Sequence, residues 1–188
     1  MIGKFYLPKE DFQEYPEVEK ARAFAMQAHE GQLYGVHAYI YHLDQVAYYA
    51  KDFGEKAVIL AYLHDVLEDT AFTEDAIKLS FGEEILRNVR LLTDPDGETR
   101  ADRKSALHGK LATADEALHL ALIVKAADRV ANVRESLATG QRRMWNQYFA
   151  EYAEFKKATY RPELCERLWK ILDVLMEEDA FEHFRYEV

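Results

Sequence analysis

The amino-acid sequence predicts an all-α fold, because apolar residues recur at helical spacing along almost its whole length. Residues 57–63 are apolar throughout and have the length of a buried strand, but no second β-branched run is present to pair with them. With 49% hydrophobic residues among 188, the chain has enough apolar material for one core. We therefore expect a single compact helical domain over residues 1–188, without internal repeats or linkers.

Apolar spacing and glycines mark the first three predicted helices. The first covers residues 16–30 and is followed by a glycine. The second carries Val46 and Ala50 and is ended by Gly54. The third covers residues 55–68, and its apolar residues on all sides are typical of a central helix that other helices cover.

Capping residues mark the later helices. Thr73 is a predicted N-cap for a helix that reaches Thr93, where the turn sequence 94–98 leads into a basic segment. Residues 113–116 have the spacing of a capping box and predict the start of a long helix that stops near Gly140. The last two predicted helices cover residues 142–159 and 163–178.

The charge balance limits the classes of partner. The chain has 24 basic and 34 acidic residues, and the net charge of −10 argues against a broad duplex nucleic-acid surface. A small anionic nucleotide is still compatible, because a local group of cations can reverse the field inside one cleft. The first ten residues contain no apolar region of signal-peptide length, and no later segment approaches the about 20 uncharged residues of a membrane span. We expect a cytoplasmic protein without membrane contact, and the sequence does not predict its oligomeric state.

Residues 64–69 carry the most informative local chemistry, since one histidine and three carboxylates lie between apolar flanks. Moving an ionised group out of water raises the free energy by several kcal/mol unless a cation or a hydrogen-bond network compensates its charge. If the third helix continues to its predicted end, Asp65, Glu68 and Asp69 share one helix face. A divalent cation could bind at one edge of that face and leave a carboxylate free for proton transfer.

Two further segments offer partners for such a site. His42 lies upstream at a predicted loop-to-helix junction, and Asp128 lies downstream inside an apolar helix, on one face with Lys125 and Asn132. Two imidazoles and two carboxylates suit Mn²⁺, Fe²⁺ or Zn²⁺ better than Ca²⁺, which prefers oxygen ligands. His29 is the rival first ligand, although its place on an amphipathic helix favours a hydrogen-bonded core histidine.

Several short motifs occur in order along the chain. They cover residues 28–32, 39–42, 64–70, 81–82, 92–94 and 125–129. The order of His42, the pair His64-Asp65 and Asp128 resembles the H…HD…D signature of the HD-domain metal-dependent phosphohydrolases. The wider set of motifs is similar to the hydrolase domain of RelA/SpoT proteins and to the small alarmone hydrolases, over residues 18 to 179.

The resemblance implies one Mn²⁺ per chain, or another divalent transition metal in its place. The implied ligands are His42, His64, Asp65 and Asp128. Glu68 and Asp69 match the family's catalytic acid pair, of which one takes the proton from the attacking water or aligns that water. In the family the substrate is guanosine 3′,5′-bispyrophosphate, cleaved at the 3′ position to release pyrophosphate.

Further residues match positions near the family's nucleotide. Asn132 matches an asparagine that contacts the nucleotide. Arg100, Arg103 and Lys104 match a basic segment that could meet phosphates, and a solvated helix face is the alternative. Tyr148 matches an aromatic-rich helix near the nucleotide pocket, and core packing is an equal alternative.

One loop departs from the family pattern. Residues 32–38 lack the Arg-Lys pair that flanks the nucleobase in the family, and Ala38 and Leu43 replace prolines. Tyr34 could stack on a base instead, and His37 is the alternative. The predicted metal ligands are unaffected by this change, whereas the sequence does not predict whether the site is specific for guanine.

Three functions therefore follow from the sequence. The first is a metal-dependent pyrophosphohydrolase that acts on a (p)ppGpp-type alarmone. The second keeps the metal but acts on another phosphorylated nucleotide, such as an adenine alarmone or a dinucleotide cofactor with a 3′- or 2′-phosphate. The third is a catalytically silent nucleotide-binding module, against which the presence of both Glu68 and Asp69 argues.

Overall fold

The computed structural model describes residues 15–95 and 97–184 as a helical fold with one short antiparallel hairpin. In the hairpin, β1 (Leu33–Tyr34) pairs with β2 (His37–Ala38). Short 3₁₀ turns cover Lys51–Phe53 and Glu116–Leu118. The α-helices are α1 Pro16–Ala28, α2 Ile40–Ala50, α3 Glu55–Leu63, α4 Val66–Asp69, α5 Glu74–Leu92, α6 Arg100–Ala112, α7 His119–Ala138, α8 Arg142–Thr159, α9 Glu166–Leu175 and α10 Ala180–Phe184.

The core lies where α2, α3 and α7 pack on one another. Every residue of α3 from Ala57 to Leu63 is buried, as the apolar spacing predicts for a central helix. Helices α1 and α5 cover α3, and α8 and α9 cover α7. This packing brings the first turn of α2, the end of α3 and the middle of α7 to one place.

The predicted all-α fold is confirmed, and most predicted helices lie close to their expected bounds. The expected domain bounds stay a prediction, because residues 1–14 and 185–188 and the turn residue Asp96 lie outside the described residues. Within the described part of the chain, no helix combines the length and the apolar composition that crossing a membrane requires.

The third predicted helix is wrong at its end, because a turn at His64 and Asp65 separates α3 from α4. The imidazole Nδ1 of His64 donates to the carbonyl oxygen of Ala61 at 2.7 Å. In a continued helix that oxygen would accept from the amide of Asp65, so the side chain competes with the helix for it. Asp65 is the N-cap residue of α4, and its carbonyl oxygen accepts from the amide of Asp69 at 2.9 Å.

The predicted capping box at residues 113–116 is also wrong. Thr113 ends α6, and Asp115 instead caps the 3₁₀ turn by accepting from the amide of Ala117 at 3.1 Å. The capping box that the structure contains is at Thr99, whose side chain and that of Asp102 accept from each other's backbone amides. Both sites have cap-type side chains, and the structure uses the one at Thr99 to begin a helix.

The N-cap at Thr73 is confirmed, but α5 is not continuous. The hydroxyl of Thr73 accepts from the amide of Ala76 at 3.3 Å. At Gly82 the backbone has φ +84° and ψ 171°, so the helix is interrupted there. A residue with a Cβ is strained at this φ, although the space around Gly82 is open.

Gly82→Ala and Gly109→Ala form a matched pair that tests this interruption. Gly82→Ala should lower the free energy of unfolding by about 1 kcal/mol or more, because alanine disfavours a positive φ. Gly109 lies inside α6 with open space around it, so Gly109→Ala should raise stability by about 0.5 to 1 kcal/mol. Urea unfolding followed by circular dichroism measures both, and equal effects of the same sign would contradict the interruption.

Candidate metal centre

Four predicted ligands from three parts of the fold meet in one cluster: His42 in the first turn of α2, His64 and Asp65 in the break after α3, and Asp128 in α7. The His42 Nε2 atom is 3.3 Å from Oδ1 of Asp128 and 3.9 Å from Oδ2 of Asp65. The His64 Nε2 atom is 3.1 Å from Oδ2 of Asp65 and 3.8 Å from Oδ1 of Asp128. Both imidazoles therefore face the same two carboxylates.

The spacing within the cluster is that of a metal site. Ligand atoms of His42, His64 and Asp65 lie within 4.8 Å of one another. Around an ion with bonds of about 2.1 Å, neighbouring ligand atoms stand about 3.0 to 3.5 Å apart. The separations of 3.1 to 3.9 Å are close to this spacing.

The buried nitrogen atoms also fit a metal. Because a carbonyl oxygen accepts, Nδ1 of His64 carries the proton in its bond to Ala61, which leaves the lone pair of Nε2 facing the carboxylates. This Nε2 atom is buried and has no hydrogen-bond partner among the described residues. His42 is also buried, with 2% of its surface exposed. A divalent cation would bond to such nitrogens and compensate the carboxylates together.

The electrostatics of the cluster demand a positive charge. Burial lowers the pKa of His64, but the charge of Asp65 overrides it and raises this pKa to about 10. Burial opposes ionisation of Asp65, yet His64 holds the pKa of Asp65 well below its usual range. Asp128 shows the same pattern, because the two histidines outweigh its burial and lower its pKa. A proton or a metal can supply this charge, and a metal displaces the proton as it binds.

Glu68 and Asp69 lie in α4 at the exposed edge of the cluster. An oxygen of Glu68 accepts from the backbone amide of Asp94 at 2.9 Å. An oxygen of Asp69 lies 3.3 Å from the hydroxyl of Tyr39. Partial burial raises the pKa of both carboxyl groups; the charge of Asp65 adds to this rise at Asp69, whereas the hydrogen bond from the amide of Asp94 opposes it at Glu68. The two acids therefore occupy different surroundings at the rim of the site.

Asn132 and Tyr34 extend the cluster on the side of His42. The amide nitrogen of Asn132 donates to Oδ1 of Asp128, and its oxygen accepts from the hydroxyl of Tyr34 at 2.8 Å. The ring of Tyr34 stacks on His42, with 4.7 Å between ring centres and 22° between planes. One face of Tyr34 is thus occupied by His42, so stacking on a base would use the opposite face.

The sequence of this chain also matches a known protein family. The family model of the HD domain matches residues 39–133, half of the chain. The chain belongs to the HD domain family. The match includes all four clustered residues, and HD domains bind divalent metals through such a group.

Related sequences are longer than this chain. This chain is 33% identical over 124 residues to a guanosine-3′,5′-bis(diphosphate) 3′-pyrophosphohydrolase of Spiroplasma citri. The aligned part covers 63% of this chain and 17% of that protein. The chain is 35% identical over 127 residues to a probable GTP pyrophosphokinase of Mycobacterium leprae, which covers 62% of this chain and 15% of that protein. The chain therefore spans about one sixth of the length of these curated relatives.

A solved structure shares the fold. It is that of a metazoan ortholog of SpoT that hydrolyzes ppGpp and plays a role in starvation responses. It matches with a TM-score of 0.69 and 23% identity, and covers 84% of this chain and 94% of that chain. The HD domain fold of the present chain is therefore shown by structure as well as by sequence.

The cations predicted to meet phosphates have partners within this chain. Arg100 donates to Glu151 at 3.2 Å, and Arg103 donates to the carbonyl oxygen of Gly97 at 3.3 Å. Lys104 donates to both carboxylate oxygens of Asp94, at 3.0 and 2.8 Å. Arg100 and Lys104 also line a cavity of about 830 Å³ between α6 and α8. Their phosphate role stays a prediction, since binding a phosphate would compete with these partners.

Tyr148 and His29 both lie outside the cluster. The guanidinium carbon of Arg129 lies 4.8 Å from the ring centre of Tyr148, which is half-buried. His29 is buried and its Nδ1 lies 2.7 Å from the side-chain oxygen of Gln32, so it is the hydrogen-bonded core histidine that the sequence favoured.

Sequence reasoning gave no role to Tyr39 or Lys125, and both touch the cluster. The hydroxyl of Tyr39 donates to Oδ2 of Asp65 at 2.5 Å. Lys125 is buried, and its Nζ atom is 3.6 Å from Oδ2 of Asp128. Burial lowers the pKa of Lys125, but the charge of Asp128 overrides it and raises this pKa. The spacing of Lys125 and Asp128 on one helix face was the available signal for the lysine.

The ion pair of Asp94 and Lys104 connects α6 to the turn that contacts Glu68. Because the pair is largely buried, its contribution to stability can be measured by mutation. Only 8% of the Asp94 side chain and 19% of the Lys104 side chain are exposed. Asp94→Asn and Lys104→Met should each lower the free energy of unfolding by about 1 to 3 kcal/mol, because each leaves a partly buried charge unpaired. The double variant should lose less than the sum, with a coupling of about 0.5 to 3 kcal/mol in urea unfolding.

The exposed pair of Arg90 and Glu74 supplies the control for this cycle, with side chains 44% and 51% exposed. Its coupling, from Arg90→Met and Glu74→Gln, should be about 0.2 to 1 kcal/mol. A coupling between Asp94 and Lys104 that is no larger than this would contradict a stabilising role for the buried pair.

Proposed function

We propose that this HD domain is a metal-dependent hydrolase that removes pyrophosphate from the 3′ position of guanosine 3′,5′-bis(diphosphate) or its pentaphosphate counterpart. The products are GDP or GTP and pyrophosphate. The observation that carries the proposal is the cluster of two buried imidazoles and two carboxylates with two further acids at its open edge. The substrate is suggested by relatives named guanosine-3′,5′-bis(diphosphate) 3′-pyrophosphohydrolase in three bacteria.

Mn²⁺ is the proposed metal. The donor set of His42, His64, Asp65 and Asp128 combines two nitrogen and two oxygen ligands, which suits Mn²⁺, Fe²⁺ or Zn²⁺ better than Ca²⁺. A bound divalent ion would lower the pKa of water and neutralise phosphate charge.

The residues around the ligands have separate roles in this proposal. Glu68 or Asp69 accepts the proton of the attacking water, and the raised pKa of each makes it a stronger base while it is ionised. Asn132 holds Asp128 by donating to it, and it also contacts the nucleotide. Lys125 adds positive charge beside Asp128.

The hairpin favours a second candidate substrate. In this hairpin Leu33 and Val36 are 68% and 89% exposed, and no Arg-Lys pair precedes β2. Without cations to contact a guanine carbonyl, the pocket would tolerate an adenine alarmone or another phosphorylated nucleotide. The occupant of the proposed site is in every case a small anionic nucleotide.

Metal content tests the ligand assignment. The purified protein should take up about one divalent ion per chain, and Asp65→Ala and Asp128→Ala should lose it because each removes an anionic ligand. Asp173→Ala, which removes an aspartate that binds Tyr152 and Lys156 on the surface, should keep the metal. Elemental analysis after dialysis against Mn²⁺ measures all four proteins, and full metal content in both ligand variants would refute the assignment.

Pyrophosphate release from guanosine 3′,5′-bis(diphosphate) with Mn²⁺ tests the activity. Glu68→Gln and Asp69→Asn keep side-chain volume but remove a proton acceptor, so the variant that lacks the base should lose about 10²- to 10⁴-fold in kcat while it keeps its metal. Glu154→Gln, on the exposed surface of α8, is the control.

The same assay separates the candidate functions. No release from any alarmone by the metal-loaded protein would contradict the proposal and favour a silent binding module. Values of kcat/KM for guanine and adenine alarmones within about tenfold of each other would favour the broader substrate class, because stacking alone discriminates bases weakly.

A further inference from the structure

Tyr39 joins a predicted ligand to a predicted catalytic acid. Its hydroxyl lies 2.5 Å from Oδ2 of Asp65 and 3.3 Å from Oδ2 of Asp69. The Oδ2 atom of Asp65 is also the atom that lies 3.1 Å from Nε2 of His64. The tyrosine therefore contacts the oxygen of Asp65 that faces the centre of the cluster.

The ring of Tyr39 is held in place from its other side. It stacks on His29 with 4.5 Å between ring centres and 16° between planes. His29 in turn lies 2.7 Å from the side-chain oxygen of Gln32 through Nδ1. The amide nitrogen of Gln32 donates to the backbone oxygen of Asp69 at 2.7 Å. These contacts form a closed chain that connects α1, the segment before β1 and α4.

We propose that Tyr39 is a positioning residue that orients Asp65 toward the metal and holds Asp69 beside it; this rests on the proposed function, because it assumes a metal at the cluster. A carboxylate oxygen has lone pairs for both a hydrogen bond and a metal bond. The hydroxyl therefore restricts rotation of Asp65 without occupying the position of the ion. It also places a donor between two acids whose charges repel each other.

The effect on metal affinity follows from this geometry. Groups that hydrogen-bond a metal ligand without touching the metal contribute about 10- to 100-fold to affinity. Tyr39→Phe keeps the ring and its stacking on His29 and removes only the hydroxyl. Its loss should therefore weaken metal binding while the fold is retained.

Tyr62→Phe is the matched control. Tyr62 is a buried tyrosine that, like the partly buried Tyr39, donates to an aspartate, with 3.0 Å between its hydroxyl and Oδ1 of Asp44. Asp44 keeps Arg22 as a partner at 2.8 Å after this change. Tyr62→Phe thus removes a comparable hydrogen bond from a pair of residues outside the cluster.

Titration calorimetry with Mn²⁺ alone, on metal-free wild type and both variants, tests the proposal. Tyr39→Phe should raise the Kd by about 10- to 100-fold, and Tyr62→Phe should leave the Kd unchanged. The melting temperatures of the metal-free variants show whether both folds are intact. A Kd for Tyr39→Phe equal to that of wild type, or an equal rise in both variants, would overturn the proposal.

The same titration distinguishes failure of this proposal from failure of the proposed function. If wild-type protein binds no divalent metal, the metal site itself is contradicted, whereas metal binding by wild type with an unchanged Kd in Tyr39→Phe contradicts only the role of Tyr39. If Tyr39→Phe does not fold, His29→Phe keeps a ring beneath Tyr39 and breaks the link to Gln32. It should also raise the Kd, and an unchanged Kd there would overturn the proposal.

A separate measurement, kcat at saturating metal, tests the role of Tyr39 toward Asp69. At saturating Mn²⁺, kcat for pyrophosphate release by Tyr39→Phe should stay about tenfold below wild type, because Asp69 loses the hydroxyl at 3.3 Å whose single proton it shares with Asp65. Full recovery of kcat at saturating metal would overturn this part and restrict Tyr39 to Asp65.

Discussion

Burial of two imidazoles against two carboxylates is the interaction on which the rest of this structure depends. His42, His64, Asp65 and Asp128 lie where α2, α7 and the break after α3 converge. Removing these carboxylates from water is unfavourable unless positive charge accompanies them. The raised pKa of His64 and the lowered pKa values of Asp65 and Asp128 reflect that demand. The apolar packing of α2, α3 and α7 holds these four groups from separate segments together.

The break between α3 and α4 divides the charged residues into two groups. Because the helix stops at Leu63, Asp65 turns toward His64, and Glu68 and Asp69 follow one turn later at the exposed edge. The carboxylate of Asp65 faces the centre of the cluster, whereas those of Glu68 and Asp69 lie at its exposed edge.

Many polar groups near the cluster are used to hold the surrounding segments. Lys104 binds Asp94, whose amide binds Glu68, and Arg100 ties α6 to α8 through Glu151. These contacts fix α6 and the turn before it relative to α4. The positive charge closest to the predicted ligands belongs, among the described residues, to Lys125 beside Asp128. The basic segment therefore has a structural role in this state of the HD domain.

The sequence by itself determined the all-α class, the start of α1, the bounds of α8, and the candidates for ligands and acids, because periodicity and donor chemistry are local properties of a chain. Only the tertiary structure decided that the helix stops at His64, that Thr99 and not Thr113 begins a capping box, and that Lys104 pairs with Asp94. The role of Tyr39 was also invisible beforehand, since a phenol gives no sign of which carboxylate it will meet. Tyr39 and Asp65 lie on separate segments, so packing of the helices sets their distance. The stop at His64 and the cap at Thr99 are contacts between residues three apart, and they compete with local alternatives that apolar spacing does not distinguish.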